Sequence, residues 1–205
     1  MTREKYSELK LQAQFLRVSP GYLTAKPGAN TTRIYSQNAA VTITPLIGTN
    51  GSFFVVRHTA YATNTSTRYS LTLPTSAGNL TIPQLDGSLT LGGRDSKVHV
   101  ADYRVGNYTL LYSTAEIFTW QQYANQTVLI VYGGPGELHE LAVKGPAEGE
   151  LVKGSGVTLL PTEDVTLLGW TTSPERKIVR FGSLSVYMLG TSLRIGLFGM
   201  LTESR

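Results

Sequence analysis

Residues 108–143 constrain the fold of this chain more than any other stretch. They read YTLLYSTAEIFTWQQYANQTVLIVYGGPGELHELAV. Three apolar runs, 108–112, 115–120 and 127–132, are rich in aromatic and β-branched residues. Turn-formers separate and follow them: residues 123–126 with their Asn, then Gly133-Gly134-Pro135-Gly136. Short runs joined by short loops predict antiparallel ladders. Residues 128–131 are apolar at every position, which predicts a strand buried on both faces. Trp120 and Trp170 close two such runs and are expected to anchor a core.

The same punctuation extends in both directions. Gly48-Thr49-Asn50-Gly51 separates the runs 40–47 and 52–57, and Asn-Gly is a strong hairpin signal. Tyr69, Leu71 and Leu73 alternate with Ser70 and Thr72, the pattern of a half-buried strand. Leu80 with Ile82, and Leu89 with Leu91, repeat it. Gly92-Gly93-Arg94-Asp95 turns the chain into residues 97–100, where Val98 and Val100 share a face. Residues 144–156 are broken by Gly and Pro and predict a loop or edge with one short strand. The runs 157–160, 165–170, 177–181 and 185–189 predict four more strands, and Ser173-Pro174-Glu175-Arg176 fits a type I turn. Strands spaced this closely predict a β-sandwich with stacked hairpins.

The first eighteen residues follow another period. Tyr6, Leu9, Ala13 and Leu16 lie on one helical face, with Glu4 in the first turn and Pro20-Gly21 as a stop. A helix of about 14 residues needs a surface to pack against.

Composition narrows the function classes. A chain of 205 residues is long enough for one or two domains with a real core. Its net charge of +4 comes from scattered Lys and Arg, not from the clustered basic face of a nucleic-acid binder. No apolar run has the length of a membrane helix. The absence of Cys excludes disulfides, a thiolate nucleophile and a Cys-based zinc site. The asparagines are more informative. Of seven, six lie in Asn-x-Ser/Thr: Asn30, Asn50, Asn64, Asn79, Asn107 and Asn125; only Asn38 does not. With 42 Ser and Thr in 205 residues, chance places about one or two of seven in that motif. The alternative is that Thr-rich strands generate the motif by composition. Read as acceptors, these residues predict a secreted glycoprotein with sites on exposed loops or strand edges. The charged start, Met1-Thr2-Arg3-Glu4-Lys5, has no apolar segment behind it that would make a signal peptide. The two features together suggest a fragment of a larger secreted protein.

Long strings carry a resemblance. STAEIFTWQQYANQTVLIVYGGPGELHELAV, SPGYLTA at 19–25, GSFFVVRH at 51–58, LPTSAGNLTIPQLDGSLTLGGRDSKVHVADY at 73–103, and residues 170–179 occur in one order. They resemble the second domain of fungal and bacterial β-galactosidases of glycoside hydrolase family 35, over residues 4–189. The resemblance implies an all-β fold: antiparallel β-hairpins plus an immunoglobulin-like β-sandwich subdomain, with one short N-terminal helix. It implies that residues 1–20 are a remnant of the last helix of a catalytic (β/α)8 barrel and its linker, since REKYSELK is similar to that helix. A local helix docking onto the β-domain is the other reading. Residues 21–205 would then be domain 2, with a hairpin part at 21–105, a sandwich part at 106–190 and a tail at 190–205. That tail, GTSLRIGLFGMLTESR, departs from the family, which continues with a segment like DRNSAYNYWVP.

Galactoside hydrolysis with retention needs two carboxylates about 5 Å apart. The acid pairs here are Glu137 with Glu140, Glu148 with Glu150, and Glu163 with Asp164, each in or beside a turn, where acids are normally solvated. The family's catalytic glutamates belong to the barrel, so the resemblance places no catalytic residue here. His58, His99 and His139 have no metal-ligand spacing and are expected at strand surfaces or edges. Glu137 and His139 share a strand face and form a weak candidate for a metal or proton site. Gly133-Gly134-Pro135-Gly136 lacks the Lys-Ser/Thr of a phosphate loop and reads as a turn. No cofactor is expected. Trp120, Trp170, Phe53 and Phe118 are expected in the core.

The expected role is a non-catalytic structural domain of a β-galactosidase, extracellular and inactive alone. The expected partners are the catalytic barrel and downstream β-domains, with self-association through exposed interdomain surfaces, and neither nucleic acid nor membrane. A stand-alone carbohydrate-binding module is the alternative and requires a line of exposed aromatics. A third reading is complementation of a separately encoded part of the enzyme.

Overall fold

The computed structural model describes residues 4–145 and 148–190. The departing tail at 191–205 lies outside the described residues. Two helices come first, α1 (Glu4–Val18) and α2 (Pro20–Thr24). The strands of the first half are β1 (Lys26–Pro27), β2 (Val41–Ile47), β3 (Ser52–His58), β4 (Thr67–Tyr69), β5 (Leu71–Thr75), β6 (Gly78–Ile82), β7 (Leu89–Leu91) and β8 (Ser96–Val105). There follow β9 (Tyr108–Ser113), β10 (Glu116–Gln122), β11 (Thr127–Gly133), β12 (Leu138–Lys144) and β13 (Gly149–Lys153). The last are β14 (Val157–Pro161), β15 (Val165–Thr171), β16 (Lys177–Phe181) and β17 (Leu184–Gly190).

One sheet of eight strands organises the molecule, in the order β1-β2-β3-β8-β9-β12-β15-β14. Strands from both sides of residue 105 share it, because β8 pairs directly with β9. Successive side chains on a strand point to opposite faces, and this sheet buries both. Phe53 and Phe54, neighbours on β3, enter different cores. On one face, Val100, Leu110, Leu141, Val143 and Leu168 meet Leu129, Val131, Val179 and Val186 of a second sheet, ordered β10-β11-β17-β16-β13. On the other face, Val56, Ala101, Tyr112 and Ala142 are covered by Tyr69, Leu71, Leu73, Ile82, Leu89 and Leu91 from the ribbons β4–β7 and β5–β6. The result is an all-β sandwich with a hairpin layer on its back. Among the described residues its pairing is antiparallel except between β11 and β17, which run parallel.

Four expectations change. Residues 128–131 are not buried on both faces: β11 lies in the outer sheet, so Leu129 and Val131 are buried while Val128 and Ile130 are only half-buried. The strands buried on both faces are inner ones of the central sheet, such as β9, β12 and β15. Tyr69, Leu71 and Leu73 do not share a strand, because the chain changes partners at Ser70 and passes from β7 to β6. Pro20 ends α1 but also opens α2, since its fixed φ suits a first helical position. The apolar face expected for α1 is only partly the docked one: Leu16 is half-buried. Leu9 is 62% exposed and Ala13 is exposed, and the side chain of Tyr6 lies outside the described residues. The helix docks instead through Leu11, Phe15 and Val18. Phe15 and Tyr22 pack edge-on against each other and against Phe53, with ring centroids 5.1–6.0 Å apart. Aromatic area decides the choice: the Phe15 stripe buries a ring where Ala13 offers a methyl.

Candidate functional site

The candidate site follows from where β9 stops. Ser113 pairs with Val100 of β8 on one side and with Leu141 of β12 on the other. Beyond Ser113 the chain leaves the sheet through Thr114 and Ala115 into β10. The first residues of β8 and of β12 therefore extend past their shared neighbour. Polar side chains occupy the notch: Lys97 and His99 from β8, His139 from β12, and Glu137 from the turn before it.

Inside this notch Lys97 Nζ donates to Glu137 Oε2. Gly134 N–H donates to the same oxygen at 2.7 Å. His139 Nε2 lies 3.3 Å from it, yet neither ring nitrogen of His139 has a hydrogen bond among the described residues. Its ring rests against Trp170, centroids 5.7 Å apart, and against Gly133, where a Cβ would sit 1.9 Å from Nε2. His99 Nε2 and the Tyr69 hydroxyl share a 2.7 Å hydrogen bond, and His99 Nδ1 is unpartnered among the described residues. Burial raises the Glu137 carboxyl, but His139, Lys97 and the Gly134 amide outweigh it and bring its pKa down to about 2. Burial, then the Lys97 charge, lowers His99 to about 3. Burial lowers His139 too, with Glu137 opposing. The site thus sets the Lys97–Glu137 salt bridge between two buried histidines whose pKa values burial lowers.

Glu140 points the other way from its neighbour His139 and is 1% exposed. It accepts the backbone N–H groups of Gln84 (2.8 Å) and Leu85 (2.7 Å) and the Tyr112 hydroxyl. Its role is to fasten the segment between β6 and β7 onto the central sheet.

Glu137, Glu140 and the three histidines therefore correct the expectation of solvated or strand-edge positions, whereas the other four acids keep it. Glu137 is 11% exposed, Glu140 is buried, and so are His58, His99 and His139. The turn after β11 folds back over the notch, which hides residues that are turn-adjacent in sequence. Glu137 and His139 do share a face, as their spacing implied, whereas Glu137 and Glu140 do not form a pair. Glu148, Glu150, Glu163 and Asp164 are exposed; Glu150 reaches Arg180 only at 3.9 Å. Among the described residues no group of three His or acidic side chains could hold a metal. Lys97, Tyr69 and Tyr112 escaped the sequence reading. Alternation around Val98 and Val100 places Lys97 and His99 together on the opposite face, but that this face is covered is seen only in the fold.

The sequon asparagines, Asn30, Asn50, Asn64, Asn79, Asn107 and Asn125, are all exposed. Asn79 sits on β6 and the others lie in connections between strands. Asn38 is half-buried; its amide donates to Arg68 O (2.8 Å) and accepts from Ala40 N–H (2.9 Å). Phe53, Phe118 and Trp170 are buried, while Trp120 is half-buried and donates from its indole to Val18 O at 3.1 Å. The aromatics that remain largely exposed among the described residues are Tyr61 (87%) and Tyr123 (60%).

Residues 24–192 match the family model described as β-galactosidase, domain 2. Similar proteins include β-galactosidase A of a Penicillium species, 54% identical over 194 residues, and a probable β-galactosidase A of Neosartorya fischeri, 54% identical over 192. β-Galactosidase A of Aspergillus niger is 52% identical over 192 residues. In each case the match covers 92% of this chain and 19% of the relative. The match takes in both sheets, the hairpin layer and the residues that fill the notch, and on that ground the chain belongs to the β-galactosidase domain 2 family.

Proposed function

We propose that this chain serves a β-galactosidase as a non-catalytic structural domain. One observation carries the proposal: among the described residues, none of the acid pairs singled out in the sequence is placed for glycosidic chemistry. Such chemistry needs two facing carboxylates, one holding a proton. Glu137 is ionised against Lys97, Glu140 is held by backbone N–H groups, and the remaining pairs are exposed in or beside turns. The expected result is that the purified chain hydrolyses a chromogenic β-galactoside no faster than a buffer blank and shows no saturable response to galactose. Turnover that co-elutes with the chain through successive purification steps would overturn the proposal. Galactose binding without turnover would favour a carbohydrate-binding module, against which stand the inward-turned tryptophans.

In the whole enzyme the domain would buttress a catalytic barrel and hold later β-domains. Residues 1–20 would carry on from the barrel's last helix, and 21–190 would form the domain proper. The exposed Leu9 side of α1 supports this, because a helix docked through Leu11, Phe15 and Val18 keeps a second face for a neighbour. So do Leu151, Val152 and Leu160, exposed on β13 and β14, the end strands of the two sheets. Left uncovered, such apolar edges promote self-association.

The exposed sequons support a secreted, glycosylated protein. A preparation passed through a eukaryotic secretory pathway behind an added leader is expected to lose mass on enzymatic removal of N-glycans. Sedimentation at several dilutions is expected to show a dimer that weakens when Leu151 and Leu160 are both changed to Ser. An unchanged mass would remove the glycoprotein reading, and a concentration-independent monomer would remove the self-association reading.

A further inference from the structure

We propose that a cleft on the hairpin side of the molecule binds the carboxylate of an acidic saccharide, a uronate-containing glycan. The cleft, of about 680 Å³, opens between the segment before β2, the end of β4 and the loop before β7. Arg33, Gln37, Arg68, Ser70 and Ser88 line it, and no acid does. Among the described residues neither guanidinium meets a carboxylate. The fork of an arginine matches the two oxygens of a carboxylate, and two forks in one cleft can hold it from both sides.

The walls are held in place before any ligand arrives. Asn38 ties the first segment to Arg68 through the 2.8 Å bond to its carbonyl, and Thr72 N–H donates to Tyr35 O at 2.8 Å. Tyr69, next to Arg68, is anchored inside by its bond to His99. Binding therefore orders only side chains, which limits its entropic cost. Gln37, Ser70 and Ser88 supply an amide and two hydroxyls for sugar hydroxyl groups. Stacking cannot contribute, because Tyr69 is only 3% exposed. Recognition thus rests on charge and hydrogen bonds, which separates an acidic sugar from a neutral one. Asn38, which lines the cleft, is the one asparagine of seven outside a sequon, so no attached glycan is expected on this wall.

The test is amide chemical-shift mapping of the isotopically labelled 205-residue chain, with trigalacturonate as probe and a neutral galactotriose and sodium sulfate as controls. Saturable shifts are expected from trigalacturonate at residues 33–39, 68–70 and 87–88. Galactotriose leaves these signals in place, and sulfate binds about tenfold more weakly. Each charged hydrogen bond is worth about tenfold in affinity, so Arg33→Gln with Arg68→Gln weakens trigalacturonate about a hundredfold while distant signals stay unchanged. Arg33→Gln alone weakens it about tenfold, which keeps the test sharp if the double variant folds poorly. Four outcomes overturn the proposal: no saturation by about 10 mM, an equal response to galactotriose, sulfate binding as tightly as the saccharide, or shifts centred elsewhere.

Discussion

Replacing Glu140 by Ala is expected to destabilise the domain by about 3 kcal/mol and to lower its melting temperature by about 10 °C. The carboxylate accepts two backbone N–H groups and one hydroxyl, and among the described residues no cation pairs with it. Truncation orphans the two backbone donors, whereas the Tyr112 hydroxyl keeps Gln84 Oε1 as an acceptor at 3.0 Å. Each orphan costs about 1–3 kcal/mol, and relief from burying the charge offsets part of the sum. Glu140→Gln keeps one acceptor oxygen and is expected to lose about half as much. Tyr112→Phe removes a donor without orphaning one and should cost about 1 kcal/mol. Thermal denaturation followed by circular dichroism orders the three variants. If Glu140→Ala melts with the parent protein, the carboxylate is not what fastens residues 83–88 to the sheet.

The second large effect is acid destabilisation centred on the notch. His99 titrates near 3 in the folded domain and near 6.5 when free. A base with a lowered folded pKa takes up its proton more readily in the unfolded chain. Its contribution is therefore complete above pH 6.5 and is lost as the pH falls toward 3. At pH 5 the loss is about 2 kcal/mol relative to pH 7. His139 is shifted in the same direction and adds to it. Glu137 enters later: held near 2 against an ordinary value of 4.5, its contribution is present above pH 4.5 and is lost as the pH falls through 2. The groups around His99 are Lys97, His139, Glu137 and Tyr69, so these two windows are expected to dominate. Urea midpoints at pH 7, 5 and 4 should fall in sequence, and His99→Gln should flatten the step from 7 to 5. A midpoint unchanged between pH 7 and pH 5 would show that the histidines do not titrate as buried bases.

Most of the strands were legible because their signals are local. The Asn-Gly turn placed β2 against β3, and Gly51 indeed takes a positive φ of 125°. The runs at 157–160, 165–170, 177–181 and 185–189 correspond to β14 through β17. The burial of Glu137, Glu140 and the histidines was not legible for one reason. Burial of a polar side chain depends on which strand ends where, and the notch exists only because β9 stops at Ser113. No window of sequence around Glu137 or His99 contains that information. The α1 face was only partly legible for a related reason, since two stripes were available and the partner surface, Phe53 with Tyr22, chose between them.

The sequence by itself determined the class of structure, the turn positions and the family, because period-two alternation, Gly and Asn turns and long matching strings are properties of neighbouring residues. Only the tertiary structure decided that one eight-stranded sheet crosses the middle of the chain, that Lys97, Glu137, His99 and His139 converge on one notch, and that Arg33 and Arg68 face one cleft. These pairs lie 35 to 42 positions apart along the chain in the notch and in the cleft alike. Strand order and register bring them together, and register is set by packing over the whole sheet rather than by any local preference.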